Sequence, residues 1–137
     1  MHEREAHDDL ISVLVEFQHA GDERQQLPHI VVHCFTGTSD EAAEYIQRGY
    51  YIGFTGTICK KERGAPLRDI LQSNIVPLNR IMIETDAPFM GFVKGRKSSE
   101  PAHVVGVAEQ VAECLGVSVE EVCRVTTENA RSFFGLS

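Results

Sequence analysis

With 137 residues, 42% of them hydrophobic, the chain has the size of one domain and enough apolar side chains to fill a core. Its 20 Asp and Glu against 13 Lys and Arg give a formal net charge of -7. That balance speaks against nucleic-acid binding through a broad basic surface, though not against an enzyme that grips phosphate through divalent cations.

The first residues, Met1 to His7, are polar and lack the apolar core of a signal peptide. No apolar stretch is long enough to span a bilayer, so the expected setting is intracellular and cytoplasmic, with the nucleus as an alternative. Asp8 to about Ala20 carries Leu10, Ile11, Val13, Leu14 and Phe17 at helical spacing. Gly21 to Gln26 is a polar break. Leu27 to Phe35 reads as a strand, with Pro28 tolerable at its start. Ser39 to Arg48 reads as a helix with Thr38 or Ser39 as N-cap and Gly49 as its stop. Tyr50 to Phe54 is a second strand, Pro66 to about Ser73 a short helix, and Arg80 to Glu84 a third strand. Residues 87 to 99 form a loop rich in Gly, Lys and Ser. Pro101 opens a long helix whose apolar stripe runs from Val104 to Leu115, and Gly116 ends it. Ser118-Val119-Glu120-Glu121 is a capping box opening a short helix with Val122 and Val125. Thr127 to Phe134 is a last helix, closed by Gly135, with Thr126 to Asn129 as its cap. The strands are uniformly apolar, which predicts parallel strands covered on both faces. The cysteines Cys34, Cys59, Cys114 and Cys123 form no CxxC pair and read as reduced thiols rather than a structural zinc site.

Three short motifs carry the chemistry: His2-Glu3-Arg4-Glu5-Ala6, His33-Cys34-Phe35-Thr36-Gly37 and Glu84-Thr85-Asp86-Ala87-Pro88. The last two close the runs Ile30-Val31-Val32 and Ile81-Met82-Ile83. Ligand-type residues at the C-terminal ends of buried parallel strands are where a β/α barrel keeps its site, and His and Asp are what a hydrolytic metal centre needs. His7, His19 and His29 read as surface residues.

With Tyr51-Ile52-Gly53-Phe54-Thr55-Gly56, Glu100-Pro101-Ala102-His103 and Thr126-Thr127-Glu128-Asn129-Ala130 added in order, the chain resembles the TatD-related deoxyribonuclease family nearly end to end. These are metal-dependent hydrolases of the amidohydrolase type on a TIM barrel. The resemblance implies an α/β fold matching the C-terminal half of a (β/α)8 barrel: about three parallel strands with flanking helices, then C-terminal helices. It implies one incomplete domain over 1–137, since a full barrel takes about 250 residues and the family's first-strand His-x-His pair and bridging Glu have no counterpart here. His2 and His33 would bind one divalent metal, and Asp86 would bind the other and orient the attacking water. The implied cofactors are two divalent cations, magnesium with manganese or zinc as alternatives, held partly or not at all by this chain.

The implied activity is hydrolysis of DNA phosphodiester bonds from the 3′ end by a metal-activated water. Glu84 would support the site by hydrogen bonding. Arg4 would contact phosphate or stand as a solvated charge. Lys94, Arg96 and Lys97 would touch the DNA backbone or form a solvated, mobile loop. Glu100 and His103 are further candidates at the next helix start, where Ser98-Ser99 stand in place of the family's Arg-Asn. Gly37, Gly53 and Gly56 would allow tight backbone around the site. DNA is the expected partner, together with a second copy or another chain covering the open side of the half barrel, and no membrane. Two other functions stay open: a catalytically silent assembly partner, and an amidohydrolase acting on another ester or amide.

Overall fold

Strands buried on both faces need apolar residues throughout, and three segments supply them. β1 (Val31–Val32), β2 (Tyr51–Phe54) and β3 (Ile81–Ile83) form one parallel sheet in the order β1-β2-β3. The computed structural model describes residues 1–2, 5–20 and 27–136. The polar break at 21–26, Arg4 and the side chain of His19 lie outside the described residues.

Val31 stands opposite Tyr51, and Ile52 opposite Ile81. β1 is shorter than the periodicity of residues 27–35 predicts. Pro28 has no N–H to give a ladder, and Cys34 turns into the left-handed region at φ 51°. Pairing still extends past both ends, as Tyr51 N–H donates to Ile30 O and Phe35 N–H to Gly53 O. Met1 runs beside the outer edge of β1: its amino group donates to Val31 O at 2.9 Å, and His33 N–H donates to Met1 O at 2.8 Å.

α1 (His7–Ala20) precedes the sheet, α2 (Ser39–Gln47) joins β1 to β2, and α3 (Ala65–Gln72) leads from β2 toward β3. α2 starts at a full capping box in which Thr38 Oγ1 accepts from Glu41 N–H and Glu41 accepts from Thr38 N–H. α4 (Val104–Leu115) follows a single 3-10 turn at Pro101–His103, so the proline opens that turn rather than the α-helix itself. The two short helices expected after Gly116 are one, α5 (Val119–Phe134), capped by the Ser118 side chain. Thr126 and Asn129 therefore sit inside a helix, not at its cap. Thr126 Oγ1 donates to Val122 O, and Asn129 Nδ2 donates to Leu78 O and Ile81 O, tying α5 to β3.

The core lies between the sheet and these helices. Ile52, Phe54 and Ile81 meet Tyr45 of α2, Leu67 and Ile70 of α3, Val107 and Val111 of α4 and Val122 of α5. Among the described residues no single helix is long and apolar enough to cross a membrane. His7 departs from its expected surface position. Its ring is half-buried against Tyr45, with Nε2 hydrogen-bonded to Glu44 at 2.9 Å.

Candidate active site

The C-terminal ends of β1 and β3 bring His33, Glu84 and Asp86 together. His33 Nδ1 lies 2.8 Å from Glu84 Oε2, and His33 Nε2 lies 3.2 Å from Asp86 Oδ1. Pairing of Met1 with β1 carries His2 to the same rim, its ring centroid 5.7 Å from that of His33. Glu84 is anchored at its other oxygen, since Cys34 N–H donates to Oε1 at 2.7 Å. Gly53 on β2 makes room for this carboxylate. A Cβ there would fall 2.5 Å from Glu84 Oε1, so no other residue fits without moving it.

A carboxylate on Nδ1 fixes the imidazole tautomer and leaves Nε2 as the free donor atom, the usual support for a metal-binding histidine. With a cation present, Nε2 and the Asp86 oxygen would both turn a lone pair to it. Their 3.2 Å spacing is close to the distance of about 3 Å between adjacent donors on one octahedral magnesium. The pair therefore fits a divalent cation in kind. In number it does not complete a site, because among the described residues no three His, Cys, Asp or Glu side chains converge closely enough to hold a metal ion.

A hollow of about 420 Å³ opens on this rim, lined by His2, Cys34, Thr36, Thr57, Arg63 and Asp86, with Met90 at its side. It adjoins a larger hollow of about 670 Å³ that shares Thr36 and carries Glu5, Glu41 and Asp69 on its walls. Three non-glycine residues with positive φ surround the two: Glu5, Cys34 and Met90. Such backbone costs about 1–3 kcal/mol per residue and clusters where a site is held in shape. Cys34 is no nucleophile here. Burial, with Asp86 and Glu84 adding their negative charge, pushes its thiol up to about 11, and its Sγ lies 3.7 Å from Thr55 Oγ1.

The remaining candidates stand apart from the hollow. Lys94 is exposed, and Arg96 Nη1 is tied to Glu100 Oε1 at 2.6 Å. His103 Nδ1 accepts from Glu100 N–H at 3.1 Å, and its ring stacks edge-on against Phe92. Phe92 in turn occupies the space where a Cβ on Gly56 would be. The loop basic residues thus do not line the hollow, whereas Arg63, which the sequence reading did not single out, does. Its neighbours Lys60, Lys61 and Arg68 look alike in sequence, so no signal there distinguishes it.

Ligand-type side chains thus gather at the C-terminal strand ends of a parallel sheet flanked by helices, the place where a β/α fold carries its site. Residues 1–135 match the family described as TatD related DNase, and the chain belongs to that family. It is 35% identical over its full length to the 3′-5′ ssDNA/RNA exonuclease TatD of Enterobacter lignolyticus, covering 52% of that protein. Its fold is similar to a TatD-family hydrolase from Entamoeba histolytica (TM-score 0.82, 22% identity, 99% of this chain and 50% of that one). It is likewise similar to a TatD homologue from Escherichia coli (TM-score 0.79, 27% identity, 99% and 49%). The chain spans about half the length of the relatives it matches.

Proposed function

We propose that the protein acts in hydrolysis of nucleic-acid phosphodiester bonds, releasing nucleotides from a 3′ end, with the His33–Asp86 rim as its reacting centre. The observation that carries this reading is the convergence of His33 Nε2 and Asp86 Oδ1 with Glu84 behind the ring. The name of the Enterobacter relative supports the substrate class.

His33 and Asp86 would hold a divalent cation, magnesium first among the candidates, with His2 beside them. When bound, the cation supplies positive charge for the phosphate oxygens and lowers the pKa of water. Glu84 keeps the His33 ring in one tautomer and one orientation. Asp86 accepts the proton of the attacking water, a role an ionised carboxylate at hydrogen-bond reach can fill. Lys94, Arg96, Glu100 and His103 have at most an outlying part, since none of them lines the hollow.

Large apolar side chains are exposed on α1 (Val13, Phe17) and at the C-terminal end (Phe134, Leu136). Exposed patches of this kind are covered by association, and we assign them to contact with a second copy or with the complementary barrel half. Sizing chromatography that gives a strict monomer with and without oligonucleotide would remove the second-copy form of this reading.

The activity test is release of 3′ nucleotides from a labelled single-stranded oligonucleotide with magnesium and with EDTA. Release that EDTA stops supports the nuclease. No release under any divalent metal, with the fold intact, overturns it in favour of a silent partner.

A further inference from the structure

We propose that Arg63 is the residue that grips the substrate's backbone phosphate, on the wall of the hollow that Asp86 also lines. This deepens the nuclease reading above and rests on it.

Arg63 lines the hollow that Asp86 and His2 line, and it carries the one permanent positive charge among the described residues of that lining. No hydrogen bond or ion pair of its guanidinium exists among the described residues, whereas Arg48, Arg68, Arg96 and Arg124 are all engaged. The turn that presents it is built rigidly. Arg68 reaches back from α3 with Nη1 on Ile58 O at 2.6 Å and on Lys60 O at 3.0 Å, and with Nη2 on Lys61 O at 2.8 Å. Gly64 packs so closely that an added Cβ would strike the Ile58 and Lys60 carbonyls. The braced turn holds the backbone in place, so only the side chain is ordered on binding, and the planar guanidinium fork matches the oxygens of a phosphate.

The neighbouring hollow decides where the phosphate goes. It is walled by Glu5, Glu41 and Asp69 with no cation, so like charges repel a phosphate there. An uncharged nucleoside suits that space, with Thr36 shared between the two. In a chain of net charge -7, the Arg63 side is the attractive end of the cleft for a phosphodiester.

The experiment is fluorescence anisotropy of a labelled single-stranded oligonucleotide without divalent metal, over a salt series of about 50–200 mM, for the full chain and for Arg63→Gln and Arg63→Lys. Thermal melting serves as the check that both variants fold. The expected result is affinity about ten-fold weaker or more for Arg63→Gln. Its salt slope should be shallower by about 0.7, the share of one phosphate contact on a single strand, and Arg63→Lys should keep the slope. Equal affinity and slope in Arg63→Gln would overturn the assignment to Arg63 and leave the nuclease reading standing. No metal-free binding by the unchanged chain would overturn the assignment to Arg63, while the nuclease reading stands or falls on magnesium-dependent release of nucleotides. Binding lost through Arg63→Gln in a chain that releases no nucleotide would keep Arg63 as a phosphate contact and sink the nuclease reading alone.

Discussion

Asp86 and His33 reach one centre from two strands: Asp86 follows β3 and His33 follows β1, and their polar atoms meet at 3.2 Å. Asp86→Asn keeps the shape but removes the negative charge and the proton acceptor. It should lower nucleotide release by about 100-fold to 10,000-fold, the range for loss of general acid–base help, with an unchanged melting temperature. A second residue-scale prediction concerns Glu44. Its carboxyl is held below the usual carboxylate range, first by the His7 ring hydrogen bond and then by Arg48. A depressed folded value means this contribution is full above the unfolded value of about 4.3 and is lost as pH falls through the folded one. Glu44→Gln should therefore lower the melting temperature at neutral pH and change it little below the folded value, which flattens the acid side of the profile. The strand-end motifs made His33, Glu84 and Asp86 legible in the sequence, because a ligand-type residue after an apolar run is a local pattern. Arg63 was not legible, because what separates it from Lys60, Lys61 and Arg68 is that it alone lines the hollow, while Arg68 is spent on the carbonyls of the turn, and both are settled only by the tertiary fold. His7 was misread as a surface residue for the same reason, since its partner Glu44 lies far along the chain.

Elements followed their local signals where caps and periodicity agreed. The Thr38 capping box, Gly49 after α2 and Gly116 after α4 all stand where their residue types place them. Two boundaries did not follow. β1 shrank to Val31–Val32 because Cys34 leaves the extended region. α5 runs unbroken because the Thr126 hydroxyl folds back onto Val122 O and the Asn129 amide is satisfied by β3 carbonyls, so neither competes with the helix backbone as polar residues often do. Asn129→Ala should leave the Leu78 and Ile81 carbonyls without this donor and cost about 1–3 kcal/mol in urea unfolding. A cost near zero would mean that water replaces the amide and that α5 is held by its apolar face alone. Arg68→Met should loosen the 58–64 turn. The expected readout is faster amide exchange in that turn at constant global stability.

At the scale of the whole molecule, three parallel strands make a short sheet, and its closure depends on what lies beside it. The edge of β1 is met by Met1, which is also what brings His2 to the rim. The parallel sheet covered on both faces was readable from uniformly apolar strands alternating with helices, and the family, with the half barrel it implies, from the motif order. The number of metal donors that meet was not readable, because side-chain convergence depends on the angle at which each strand end leaves the sheet. His33 and Asp86 converge, while His2 comes near through its ring without making a third. The proposed function needs that pair to be a divalent-cation site. The most direct measurement is manganese binding followed by electron paramagnetic resonance, on the unchanged chain, His33→Ala and Asp86→Asn. The account predicts binding by the unchanged chain that both substitutions abolish. Absence of binding by the unchanged chain, or binding that persists in both variants, would contradict it.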